Sequence, residues 1–162
     1  MRLTRFSDNA LRCLMYLGIS EKPISTVGEI ARRMSMSEDH LLKVIKRLSQ
    51  LGYVQTIRGR NGGLRLARTP DQINIADVIR ATEDNLAIVP CLDGGDSPCP
   101  ISTVCQLSNA VDEGLNAFFN TLKRFTLADM CKDRGELQRA LASNSNGVRS
   151  KGKPLAVAAG VA

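Results

Sequence analysis

Apolar residues Ala10, Leu11, Leu14, Met15 and Leu17 recur at three- and four-residue intervals, the period of a helix with one buried face. Ser7 stands ahead of them as a cap and Gly18 or Ser20 behind them as a stop, so the spacing predicts a first helix between these residues. Cys13 falls on its apolar side and reads as a small core residue. Thr26-Val-Gly-Glu29 has the form of a capping box and opens a short helix through Ile30, Ala31 and Met34. Almost at once Ser37 offers another cap; Leu41, Leu42, Val44, Ile45 and Leu48 are expected to face inward, and Gly52 closes this helix. Two short helices on a tight connection form a helix-turn-helix pattern, whose second helix enters the major groove of DNA.

The period then changes. Tyr53 to Ile57 is β-branched and aromatic, Leu64 to Ala67 alternates, and Arg58-Gly-Arg-Asn-Gly-Gly63 joins them, which predicts a β-hairpin. Asn74 caps a further helix from Ile75 to Thr82. Leu107, Val111, Leu115, Phe118 and Leu122 make one stripe on a long helix, which either packs on its own domain or pairs with its twin. Thr126-Leu-Ala-Asp129 is another capped start, and a short helix resumes around Glu136 to Ala142. From Ser143 the composition turns to Ser, Asn, Gly and Lys and then to small apolar residues, so 143–162 is expected to be a disordered tail. The expected fold is mainly α with a small β-hairpin wing: a winged helix-turn-helix plus a long dimerisation helix. Residues 1–82 form the winged domain, 83–106 a loop, and 107–142 the dimerisation helix and C-terminal helix.

Charge assigns work to the first half. Net charge is +6, but residues 1–68 carry thirteen Lys and Arg against five Asp and Glu, whereas residues 69–162 carry nine against eleven. The basic half is the one suited to a polyanion. On the second helix Ser37, His40, Lys43, Lys46 and Arg47 are candidate DNA contacts, and at the hairpin tip Arg58, Arg60 and Asn61. A tight turn needs glycines but has no need of two arginines, whereas glycines beside arginines suit close approach to phosphates or a narrow minor groove.

Chemistry of another kind lies at Cys91-Leu-Asp-Gly-Gly-Asp-Ser-Pro-Cys99-Pro-Ile-Ser-Thr-Val-Cys105. Three of five cysteines stand there among turn-forming residues. From Glu83 to Glu113 there are six acids and no Lys or Arg, so a bound cation would relieve repulsion. A disulfide would leave one thiol over, the close Cys pairs typical of zinc are missing, and inert buried thiols suit a polar loop poorly. An iron-sulfur cluster tolerates such spacing because each thiolate takes a different iron. Cys131 stands apart and reads as structural.

The chain has no phosphate-binding Gly-Lys-Ser/Thr loop, no nucleotide fingerprint and no His-Glu-x-x-His, and His40 is its one histidine, so an enzyme is not expected. No apolar run reaches membrane-spanning length, and the opening Met-Arg-Leu-Thr-Arg-Phe-Ser-Asp lacks the form of a signal peptide. The expected compartment is the cytoplasm.

With the cysteine loop, the Arg-Gly-Arg-Asn-Gly-Gly hairpin and the opening Met-Arg-Leu-Thr, residues 1 to about 142 resemble the Rrf-type family of iron-sulfur winged-helix repressors. Phe6-Ser-Asp8-Asn-Ala-Leu-Arg12 and Phe125-Thr-Leu-Ala-Asp129 are similar to its nitric-oxide-sensing branch, and Cys-x7-Cys-x5-Cys also to its rhizobial iron regulators. One branch carries a histidine three residues after the third cysteine, where this chain has Ser108, so that mode of ligation is not expected. The resemblance implies a homodimer paired through residues 106–124, a palindromic double-stranded DNA operator, and nitric oxide as effector. It also implies a cluster, 4Fe-4S in preference to 2Fe-2S, on Cys91, Cys99 and Cys105, with the Asp8 carboxylate reaching it from the other subunit. Read by itself, Asp8 is a helix-start acid favoured by the helix dipole. The alternatives are an iron-responsive regulator of the same architecture and, from another class, a basic redox or electron-transfer protein.

Overall fold

The structure is a computed structural model and describes residues 2–94 and 99–143; the expected tail beyond Ser143 lies outside them. Helix α1 (Arg5–Ile19) starts earlier than its apolar period suggests. Thr4 is the cap, its hydroxyl accepting from the Ser7 amide at 3.2 Å. Ser7 therefore sits inside the first turn, fully buried, and accepts a hydrogen bond from the Thr82 hydroxyl at 2.9 Å. The C-terminal carbonyls of α1 are satisfied from far along the chain: Arg134 and Gln138 donate to Ile19 O at 2.9 and 2.8 Å.

Helix α2 (Val27–Met34) begins at Thr26, whose hydroxyl accepts from the Glu29 amide at 3.2 Å. The Glu29 carboxylate turns to Lys22 at 2.7 Å. Ser35 ends the helix with φ 53°, the one non-glycine left-handed residue described, and the chain enters α3 (Glu38–Gln50) three residues later. Leu41, Val44, Ile45 and Leu48 are buried, but Leu42 is 52 % exposed. Its expected inward orientation fails because 100° per residue takes it off the 41/44/45/48 stripe. Gly52, with φ 71°, turns the chain out of α3 as its position predicts.

Strands β1 (Val54–Ile57) and β2 (Gly63–Leu66) pair antiparallel, Val54 opposite Leu66 and Ile57 opposite Gly63. Ser25 extends this hairpin by exchanging backbone hydrogen bonds with Leu64 at 3.0 and 2.8 Å. The strand approaches so closely at Gly63 that a Cβ there would stand 2.6 Å from Ser25 O. Helix α4 (Ile75–Thr82) is capped by Asn74, which accepts from the Ala76 amide at 3.0 Å.

Beyond the cysteine loop run α5 (Gln106–Leu122), α6 (Leu127–Met130) and α7 (Arg134–Ser143). Thr126 and Asp129 close a reciprocal capping box at the start of α6. Leu127 inserts, fully buried, into the same core as α1, α3 and the hairpin. A second, smaller core joins Ile75, Ala76 and Ile79 of α4 to Phe119 of α5. Phe119 is 1 % exposed, whereas Leu107 is 67 % and Phe118 36 % exposed. The predicted stripe is thus divided: Leu115 and Leu122 pack on the second core, while Leu107 and Phe118 face outward.

Candidate functional site

Two regions carry the predicted site residues. On the first, α3 projects from the winged domain beside the hairpin. Ser37 begins α3 but makes no side-chain cap bond, so its exposed hydroxyl is not spent on the helix. Lys43 and Lys46 are exposed, and neither meets an acid within 4 Å among the described residues. Arg58, Arg60 and Asn61 are all exposed on the hairpin tip. Gly59 holds φ 113° there, and its carbonyl accepts from the Gly62 amide at 2.9 Å.

His40 and Arg47 are held differently. The His40 Nδ1 accepts from the Asn9 side-chain amide at 2.8 Å, and its ring meets Phe6 edge-on at 6.1 Å. Arg47 donates from Nε and Nη2 to Ala81 O at 3.2 and 3.0 Å. Both side chains lock α3 to its own domain, the first to α1 and the second to the last turn of α4. Sequence order gave no sign of either partner.

The second region starts where α4 ends. Thr82 bonds Ser7, and the Glu83 carboxylate accepts from the Thr4 amide and hydroxyl at 2.8 and 3.2 Å. The last turn of α4 is therefore fastened both to the start of α1 and, through Arg47, to α3. The acidic segment follows directly. Cys91 lies in a short 3-10 turn (Pro90–Leu92), and Asn85 donates to Asp93 at 2.6 Å. Cys105 is the cap residue of α5. The Ser108 amide, followed by the Leu107 amide, holds its thiol below the ordinary cysteine range, while the Ser108 hydroxyl donates to Cys105 O at 2.8 Å.

Cys91, Cys99 and Cys105 are reduced cysteines of intermediate burial, in contrast to Cys13, whose burial pushes its pKa up to about 12. Cys131 is half-buried against Met15 O, also with a raised pKa from burial. Gly95 to Pro98 lie outside the described residues. In kind, the donors suit an iron-sulfur cluster: three accessible thiols, one at a helix N-terminus, in a segment without cationic side chains. In arrangement, no three His, Cys, Asp or Glu side chains converge on a metal position among the described residues. Asp8 does not join the cysteines of its own chain. It is exposed in the first turn of α1, paired with Arg12 at 3.5 Å.

Comparison with known proteins gives these features a context. Residues 3–133 match the family model Rrf2, described as an iron-dependent transcriptional regulator. The chain is 45 % identical over 143 residues to the HTH-type transcriptional regulator NsrR of Bacillus subtilis, covering 87 % of this chain and 97 % of that one. It is 44 % identical over 142 residues to the NsrR of Geobacillus kaustophilus, with the same coverage of both chains. Among solved structures, T. potens IscR superposes with a TM-score of 0.64 at 28 % identity, over 85 % of this chain and 91 % of that one. The global cysteine regulator CymR of B. subtilis superposes with a TM-score of 0.57 at 25 % identity, over 82 % and 97 %. These neighbours share the winged-helix architecture, with its recognition helix and hairpin wing. No helix among the described residues is long and apolar enough to cross a membrane. By the family match, the extent of its relatives and the fold, the chain belongs to the Rrf2 family of DNA-binding transcriptional regulators.

Proposed function

We propose that the chain is a homodimeric repressor that binds a palindromic operator and whose DNA affinity depends on an iron-sulfur cluster sensitive to nitric oxide. The observation that carries this reading is the fastening of α4's last turn. Ala81, Thr82 and Glu83 are bonded to Arg47 on the recognition helix and to Ser7 and Thr4 at the start of α1, and Glu83 is the first residue of the loop that carries Cys91 eight residues further on. A change in that loop thus has a short hydrogen-bonded route to the element that enters DNA.

In this reading Lys43, Lys46, Arg58 and Arg60 face phosphates, and Ser37 and Asn61 add polar contacts. Cys91, Cys99 and Cys105 hold the cluster, 4Fe-4S in preference to 2Fe-2S, and Asp8 of the second copy completes it. A bound cluster supplies iron that reacts with nitric oxide. The chain's part is to keep the thiols ionised, which the α5 amides favour at Cys105, and to keep cationic side chains away from them. The outward Leu107 and Phe118 suit pairing of α5 with its twin. Arg12 is within reach of both the Asp8 carboxylate and the Met34 carbonyl, so a bond made by Asp8 bears on the turn before α3.

A second reading, an iron-responsive regulator, draws support from the family description as iron-dependent. Anaerobic purification followed by an absorption spectrum, iron and sulfide analysis and titration with nitric oxide or an iron chelator separates the two. Cys91→Ala, Cys99→Ala and Cys105→Ala are each expected to abolish the cluster, and Cys13→Ala and Cys131→Ala to keep it. Full iron and sulfide in Cys99→Ala would sink the ligand assignment.

A further inference from the structure

Among the described residues 2–82, Leu42 is the large apolar side chain left open to solvent; Ile88, Ile101, Val104, Leu107, Phe118 and Phe125 all lie beyond the winged domain. An isolated exposed leucine is ordinary on a protein surface. Its surroundings are what set this one apart. With Leu41, Val44, Ile45 and Leu48 buried, the 100° step of α3 carries Lys43, Lys46 and Asp39 to the outer face and Leu42 to the border of that face. It is the border on the side of the wing, since Ser49, two turns further along it, bonds Thr56 of β1 at 3.3 Å. Lys43 and Lys46 flank Leu42 without acidic partners, and the exposed Arg58 and Arg60 extend the same charge along the wing.

The exposed Glu38 and Asp39 stand one turn before Leu42, but Lys43 and Lys46 with Arg58 and Arg60 outnumber them, a balance that favours a polyanion over a second copy of the same surface. In the major groove the apolar feature that a leucine can meet is the C5 methyl of thymine. We infer that Leu42 is a specificity-determining residue that reads one thymine methyl in each half-site. The inference rests on the proposed role of α3 as the recognition helix. It divides that helix's labour: lysines for phosphates, Leu42 for one base.

The test uses the full-length protein and a duplex that it selects from a random pool. Each thymine is replaced in turn by deoxyuridine, which keeps base pairing and removes only the methyl. At one position per half-site the affinity is expected to fall about fourfold, the worth of one buried carbon at about 0.8 kcal/mol. Leu42→Ala is expected to bind the thymine duplex more weakly by a similar factor and to be indifferent to the replacement, while Leu42→Met retains the preference. Leu42 is exposed, so both variants should keep the melting temperature of the parent chain. A selected duplex with no deoxyuridine effect, or a Leu42→Ala protein that still distinguishes thymine, overturns the inference and leaves DNA binding standing. If no preferred duplex emerges from the pool, the recognition-helix reading falls and this inference falls with it.

Discussion

At position 46 a lysine stands exposed without an acidic partner, and at position 47 an arginine donates twice to Ala81 O. Charge and spacing alone make the two equivalent candidates for DNA, and only the fold separates them. Lys46→Ala is expected to reduce the salt slope of operator binding by about one unit, as the loss of one phosphate contact does. Arg47→Ala is expected to leave that slope unchanged and to lower unfolding stability by about 1 kcal/mol, less than the roughly 1.5–3 kcal/mol of a charged hydrogen bond because this one is solvent-exposed. Salt titrations and urea midpoints on both variants check the pair, and exchanged behaviour would contradict it. At Asp129, Lys132, followed by the Thr126 amide and hydroxyl, pulls the carboxyl pKa from 3.8 to about 2. Between these values the unfolded chain binds the extra proton, so the stability contributed here is present above pH 4 and disappears as the pH falls toward 2. Asp129→Asn should therefore flatten the acid limb of the stability profile in that window, measured by urea unfolding at pH 5 and pH 2.5. The caps at Thr26, Asn74 and Thr126 were legible because capping is local chemistry. Ser7 was misread because Thr4 offers the same hydroxyl one turn earlier, and Ser7's own partner, Thr82, is remote in sequence.

The wing shows how an element's stability rests on a neighbour that its sequence does not announce. Its two strands follow from β-branched residues and the glycine-rich turn, but Ser25 enters as a third line of hydrogen bonds from before α2. Gly63 is required by that approach, since an added Cβ meets Ser25 O and Ile24 Cγ2, both at 2.6 Å. Gly63→Ala is expected to cost on the order of 1 to 3 kcal/mol, the range for forced overpacking, and to weaken operator binding by displacing Arg58 and Arg60. The same change at Gly135, in the first turn of α7 with no atom in the way, should be neutral or stabilise by up to about 1 kcal/mol. Thermal midpoints of the two variants decide the matter. Helix α5 was legible in its extent and less so in its orientation. Its apolar stripe was read as one face, yet α4 takes the side bearing Ser108, Leu115 and Phe119 and leaves Leu107 and Phe118 outside. Two adjacent apolar residues at 118 and 119 give a periodicity argument no means of choosing which one is buried.

Over the whole molecule, the order of elements and the assignment of the basic half to a winged domain were readable from pattern and charge, because both are properties of the chain itself. The contribution of α6 and α7 to that domain was not, since Leu127 reaches the first core and Arg134 caps α1 only after the chain has folded back. The exposed Leu107 and Phe118 lead to a prediction at this scale. If α5 pairs the two copies as proposed, Leu107→Asp combined with Phe118→Asp should convert the proposed dimer into a folded monomer with unchanged helical content and much weaker binding to the proposed two-half-site operator, measured by sedimentation and circular dichroism. A double variant that remains dimeric would remove α5 from the interface. The central claim is that the cysteine loop governs the recognition helix, and the most direct measurement is operator affinity of the anaerobically purified protein titrated with nitric oxide. The account predicts tight binding at the start and at least a tenfold loss as nitric oxide is added, with Cys99→Ala weak throughout and unresponsive. Equal affinity before and after the titration, with Cys99→Ala binding as tightly as the parent chain, would contradict it.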